Sequence, residues 1–252
     1  MILLLLALMY CGIISAPANQ NLAVGVPHQD RSNEIANLLK QLTPGLGRKD
    51  GVISVPDSDT IERVRSKLIL IADESPESRK NVIDALILVL NEPKSEFQVN
   101  MVDQWRVAVG LLGELKATEA IDDLVRNLNW VGENLPVRHP PVRTALVRIS
   151  KPAIPRLLSA LSDSNELIRI EAMEALGEIG ELAVDELLEA LSDKEPYTRS
   201  GAAQALARIG GGRAREAIEM AIRTETNKKV KNQLKYAVQY MDHVERLKGV
   251  KE

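Results

Sequence analysis

The chain has 252 residues, of which 45% are hydrophobic, 27% charged and only 3% aromatic, a balance that supports a buried core and excludes a disordered or fibrous protein. Leu, Ile, Val and Ala supply most of the apolar content, which suits helix packing better than the aromatic and β-branched strands of a β-sandwich. A formal net charge of −3 excludes the overall basic excess that drives non-specific nucleic-acid binding. The single cysteine, Cys11, lies in the first apolar run, so removal of that run excludes a disulfide, a catalytic thiol and a cysteine metal ligand.

Residues 2–14 are apolar apart from Tyr10, Cys11 and Gly12, and Ser15-Ala16-Pro17-Ala18 follows. A short apolar run ending in small residues predicts a signal peptide over residues 1–18, cut after Ala18 or Ala16, and a secreted or periplasmic mature chain. An uncleaved anchor and a buried amphipathic segment are the alternatives, although a membrane span takes about 20 apolar residues. Lipid attachment at Cys11 is disfavoured by the bulky Met9 and Tyr10 before it. Residues 19–58 then read as a flexible leader to residue 31, a capping helix over 32–42 and a loop over 43–58 carrying Pro44, Gly45, Gly47, Gly51 and Pro56.

From residue 59 to 252 the chain reads as one repeat array. Apolar spacing of i, i+3, i+4, i+7 predicts helices at 59–72, 76–91, 101–115, 118–129, 142–150, 152–162, 166–179, 181–192, 196–209, 213–223 and 227–246. A second irregular loop covers 129–136, and the last helix carries Lys228, Lys229, Lys231 and Lys235, as a polar terminal cap should.

Self-similarity decides the architecture. Ala153-Ile154-Pro155-Arg156-Leu157-Leu158 returns 30 residues later as Ala183-Val184-Asp185-Glu186-Leu187-Leu188, and Ala172-Met173-Glu174-Ala175-Leu176 returns as Ala202-Ala203-Gln204-Ala205-Leu206. Each unit holds two apolar helices joined by a turn, in which Asp163-x-x-Glu166 reads as a capping box and Pro196 suits a first helical turn. Gly180 and Gly210 read as helix stops that exploit glycine's freedom at positive φ. Ala172, Ala175, Ala202 and Ala205 allow close helix approach, while Leu157, Leu161, Leu176, Ile179, Leu187, Leu191, Leu206 and Ile209 fill the seam. A single pair cannot cover both of its apolar faces, so the pairs must stack into a solenoid.

The runs ending in Asp163–Gly180 and Asp193–Gly210 resemble HEAT repeats of the short type named after phycobilisome lyases. The resemblance is strong over residues 141–210 and weaker over 59–129. It implies an all-α fold, a right-handed α-α superhelix of antiparallel helix pairs. It also implies a ladder between repeats in which a turn Asp meets an Arg at the start of the second helix; the matching residues are Asp163 with Arg169 and Asp193 with Arg199.

Catalytic signatures are sparse. His28, His139 and His243 are scattered, and the His-Glu steps through which HEAT-like deoxyhypusine hydroxylases bind iron do not occur, so no metal or other cofactor is expected. Gly210-Gly211-Gly212-Arg213 follows a helix rather than a strand and reads as an inter-repeat turn, not a phosphate loop.

Charge is the more informative feature. Residues 163–195 hold eleven Asp or Glu against two Lys or Arg, and residues 197–252 hold twelve Lys or Arg against six Asp or Glu. Glu171, Glu174 and Glu178 share one side of a second helix at i, i+3, i+7. Their counterparts are Thr144 and Arg148 before them, Gln204 and Arg208 after them, and Lys235 and Gln239 in the last helix. With Tyr197, Tyr236 and Tyr240 as aromatic anchors, this row is the expected binding face for another protein or peptide. The expectation is an exported, non-catalytic, monomeric scaffold binding through its concave face, with no nucleic acid and no membrane span after signal removal; the rival is a lyase-like protein holding a small ligand in the same groove.

Overall fold

The computed structural model describes residues 28–42, 45–46, 53–54, 56–92, 102–129 and 141–249. The expected signal peptide, Cys11, His139 and most of the 129–136 loop lie outside the described residues. The helices are α1 (His28–Lys40), α2 (Ser58–Glu74), α3 (Pro76–Asn91), α4 (Val102–Glu114), α5 (Ile121–Arg126), α6 (Pro141–Ile149), α7 (Ile154–Ala160), α8 (Glu166–Ile179), α9 (Val184–Ala190), α10 (Pro196–Ile209), α11 (Gly212–Thr224) and α12 (Lys228–Gly249). Two expectations change here. α1 opens at His28, so the leader expected to reach residue 31 ends earlier, and Gly45–Leu46 pairs antiparallel with Ile53–Ser54 inside the segment read as loop.

Packing sorts the helices into two layers. α1, α3, α5, α7, α9 and α11 follow one another in one layer, and α2, α4, α6, α8, α10 and α12 in the other, with each odd helix also meeting its even partner. The result is the all-α superhelical stack that the repeat requires. Ala172, Ala175, Ala202 and Ala205 are buried in its seams with Leu157, Leu161, Leu176, Leu187, Leu191 and Leu206, while Ile179 and Ile209 are partly buried against them. Truncating such a leucine to alanine costs about 2–5 kcal/mol. Approach is close between α4 and α6, where a Cβ added at Gly113 would stand 2.7 Å from the Ala145 Cα, so any side chain there would push the helices apart.

The turn into α8 corrects the capping box. Asp163 accepts a hydrogen bond from the Asn165 N–H at 2.8 Å, and it is Asn165 that caps the helix by accepting from the Leu167 N–H at 2.9 Å. Asp163 therefore shapes the turn and Asn165 starts the helix. The next repeat keeps the first half of this device, Asp193 accepting from the Glu195 N–H at 2.7 Å, and then uses Pro196 in the first helical turn.

Three even helices stop in the same unusual way. The residue after α8, Gly180, has φ 74° and ψ −139°, and the residue after α10, Gly210, has φ 84° and ψ −163°. Both lie outside the left-handed helical well, in a region essentially reserved for glycine. After α6 the same place is held by Ser150, with φ 68° and ψ −130°. Its N–H donates to the Leu146 carbonyl at 2.9 Å and its own carbonyl accepts from the Ala153 N–H at 2.8 Å, so the hydrogen bonds of the turn between α6 and α7 hold the serine there against its preference.

This comparison sets a reciprocal prediction. Ser150→Gly should stabilise the fold by about 1–2 kcal/mol, and Gly180→Val should destabilise it by at least as much, since the conformation costs a side-chain-bearing residue about 1–3 kcal/mol. A Cβ at Gly180 meets nothing within 4 Å, so the loss comes from the backbone alone. Thermal unfolding reads both, at about 2–4 °C per kcal/mol for a chain of this size; unchanged melting in either variant would contradict the assignment.

Candidate functional site

The even helices are knitted together by charge. Glu114 of α4 receives Arg65 of α2 through two hydrogen bonds, at 2.5 and 3.1 Å, and Arg148 of α6 at 3.2 Å. Arg143 of α6 reaches Glu171 at 2.8 Å and Glu178 at 3.0 Å, both on α8. Glu174 of α8 pairs with Arg208 of α10, whose guanidinium lies 6.0 Å from the centre of the Tyr240 ring on α12. Ion pairs and one ring contact thus cross from α2 to α12 without a missing step.

The expected row consequently divides. Glu174, Gln204 and Arg208 do come together. Glu171 does not present a free carboxylate to a partner: it is only 13% exposed and is held by Arg143, itself 8% exposed. Burial pushes the Glu171 carboxyl above its ordinary range, the Arg143 guanidinium opposes the rise, and the Glu174 carboxylate adds to it. Reversing charge at Glu171 would break the packing rather than probe a binding face. Arg148 turns back to α4, and Thr144 lies half-buried on α6. Arg143 was absent from the expected row, yet its signal is in the repeat: it stands where Met173 and Ala203 are buried in the following units, and an arginine in that register needs a carboxylate from the neighbouring helix.

The expected ladder takes a different form as well. Arg169 donates to the backbone carbonyls of Asp163 and Ser164 at 2.8 and 3.1 Å, and Arg199 to those of Asp193 and Lys194 at 2.8 and 3.0 Å. Each arginine closes its own turn, because the Asp carboxylates are spent on turn N–H groups. The links between repeats are made elsewhere: the Arg169 guanidinium sits 4.3 Å over the Tyr197 ring, and Arg199 grips Glu225 at 2.7 and 3.2 Å. The Arg199 hydrogen bond holds the Glu225 carboxyl below its ordinary range.

Between α10 and α12 lies a groove of about 200 Å³ lined by Gln204, Ala207, Arg208, Gln233, Tyr236, Ala237 and Tyr240. Tyr236 is 61% and Tyr240 45% exposed. Lys235 and Gln239, expected to extend the row, are exposed on α12 but do not line the groove. Buried Val230 and Leu234 take the places of Ala202 and Leu206, an offset of 28 residues, which brings Tyr236 rather than Gln239 to the place of Arg208.

Among the described residues no group of three His, Cys, Asp or Glu is arranged to hold a metal ion, and no helix is long and apolar enough to cross a membrane.

A stack of two-layered helix pairs defines an α-solenoid. Residues 154–239 match the family of HEAT repeats, and the match runs further towards the C-terminus than the 141–210 span carried by the plainest self-similarity. Among curated proteins none matches the chain. Similar solved structures include the archaeal HEAT-like repeats protein from Thermococcus onnurineus, 11% identical, covering 87% of this chain and 98% of that one with a TM-score of 0.33. Human deoxyhypusine hydroxylase is 17% identical, with 85% and 98% covered and a TM-score of 0.25. The complex of CpcE and CpcF of phycocyanin lyase from Nostoc is 16% identical, with 88% and 98% covered and a TM-score of 0.29. None of these likenesses brings a substrate or partner to this chain.

The buried pair generates a prediction. Arg143→Met should cost about 3 kcal/mol in urea unfolding, because it strands a buried carboxylate, and adding Glu171→Met should recover much of that loss. A carboxyl whose folded pKa is raised stabilises the fold below its unfolded value of 4.5, and that contribution is lost as pH rises through the raised value. Carboxyl NMR of Glu171 should therefore show a midpoint above 4.5 that climbs further in Arg143→Met; a midpoint at or below 4.5 would refute the account.

Proposed function

We propose that this protein is an exported HEAT-repeat scaffold that binds a polypeptide on its even-helix face, with the α10–α12 groove as the principal contact, and that it acts by binding rather than by turning over a substrate. The observation carrying this reading is the contrast along that face: Arg65, Glu114, Arg143, Glu171, Glu174 and Arg208 on α2 to α10 are engaged by neighbouring helices, whereas Tyr236 and Tyr240 stand exposed beside a small-floored groove. Exposed tyrosines on a rigid helix offer large contact area at little ordering cost. The ion-paired helices behind them hold the groove in shape before any encounter. Export rests on the apolar run and small residues of 1–18, with 19–58 as leader and cap and 59–252 as the array; the binding unit is a monomer.

The test places the photo-crosslinking residue p-benzoylphenylalanine at Tyr236 in the full chain, expressed in its host, with Met220 on α11 as the outer-layer control. Polypeptide adducts are expected from position 236 and not from 220, and the mature chain should begin at Asn19 or Pro17 by intact mass. Equal adducts from both positions, or a bound pigment with no protein adduct, would overturn the scaffold reading in favour of non-specific contact or of a small-ligand protein.

A further inference from the structure

We infer that the α10–α12 groove takes an extended acidic peptide segment that lays an aliphatic side chain on the groove floor; this rests on the polypeptide-binding reading above and names the chemistry of the partner. The floor is made by the methyl groups of Ala207 and Ala237, both almost fully buried, which admit a branched aliphatic group between the tyrosine rings. The walls carry amides suited to a peptide backbone. Gln204 donates through Nε2 to the Ser200 carbonyl at 3.3 Å, which leaves its Oε1 to accept a peptide N–H, and exposed Gln233 faces it from α12.

Charge selects the sign of the partner. Lys228, Lys229, Lys231 and Lys235 fall in the first turns of α12, and no acidic residue occurs on that helix before Asp242. Lys229, Gln233, Tyr236 and Tyr240 recur at i, i+4, i+7, i+11, so Lys229 continues the face that lines the groove. The nearby carboxylates are already answered: Glu174 by Arg208, Glu225 by Arg199, and Asp242 and Glu245 by Arg215 at 2.7 and 3.1 Å. What remains beside the groove is the positive charge of the α12 lysines, Lys229 on the groove's own face, and it complements carboxylates on either side of an aliphatic residue. A nucleic-acid strand fits less well, because beyond α10 it would run onto α8, which carries Glu166, Glu171, Glu174 and Glu178 against Arg169 alone. A short peptide is accommodated within the last two helix pairs.

Fluorescence anisotropy on the full chain, from about 50 mM to about 500 mM salt, tests this with four labelled probes: the peptides Glu-Glu-Leu-Glu-Glu, Ser-Ser-Leu-Ser-Ser and Lys-Lys-Leu-Lys-Lys, and oligothymidylate. The acidic peptide should bind tightest, weaken with salt, and lose about tenfold or more in Tyr240→Ala and in Lys229→Glu. Both side chains are exposed, so far-UV circular dichroism should stay unchanged in these variants. If the neutral or basic peptide binds tighter and still depends on Tyr240, the acidic assignment falls while the peptide groove stands. If no peptide binds, the polypeptide reading of the groove falls with it, and if oligothymidylate binds tightest the partner is a nucleic acid and this inference is wrong.

Discussion

Everything in this molecule depends on one packing constraint: a pair of short amphipathic helices has more apolar surface than its own two members can cover, so each pair must be closed by the next. The seam between pairs is where the constraint is met. Alanines at 172, 175, 202 and 205 and the glycine at 113 bring helices of one layer close enough for leucines of both layers to interlock. Losing one such leucine costs about 2–5 kcal/mol, whereas an exposed ion pair contributes about 0–1 kcal/mol. Stability is therefore held by the seam together with the buried Arg143–Glu171 pair, and the more exposed ion pairs have a different effect. By joining helix to helix through fixed geometry, as Glu114 does with Arg65 and Arg148, they set how one repeat is oriented on the next.

That division of labour explains what the sequence discloses. A seam made by repetition is visible as repetition, and α3, α8 and α10 fall on the residues that apolar spacing predicts because nothing competes with it there. Boundaries blur where a first helix begins in a 3₁₀ turn, as at Lys151–Ala153 before α7 and Gly180–Ala183 before α9, since both helical types satisfy the same local hydrogen bonding. Ser150 is a harder case. Aligned with Gly180 and Gly210 it looks like an ordinary loss of a glycine, and only the backbone angles show that it keeps glycine's conformation.

The site was less legible than the fold, for a physical reason. Periodicity identifies which residues share a face, but whether a charge on that face is free depends on the partner helix, which sequence spacing does not specify. Glu171, Glu174 and Glu178 form one row by spacing, yet α6 supplies an arginine to the first and third while α10 supplies one to the second. The same limit moved the α12 side of the groove. Residue counting placed Lys235 and Gln239 31 residues beyond Gln204 and Arg208, whereas the shorter connection through Glu225 and Asn227 sets the offset at 28 and brings Tyr236, not Gln239, to the place of Arg208.

Position in the array then decides where binding surface is left over. An interior even helix has a neighbour on each side, and its long polar side chains are drawn into the two seams. α12 is the last even helix among the described residues and meets α10 on one side only. Arg208 stands at the junction, with Glu174 answering it from α8 and the Tyr240 ring, rather than a carboxylate, facing it from α12. An aromatic face can lie beside a guanidinium without neutralising it. Among the described residues the chain of charge pairs therefore ends at the Glu174–Arg208 pair, and beside it on α12 the exposed tyrosines and lysines are left available instead of being drawn into a further seam.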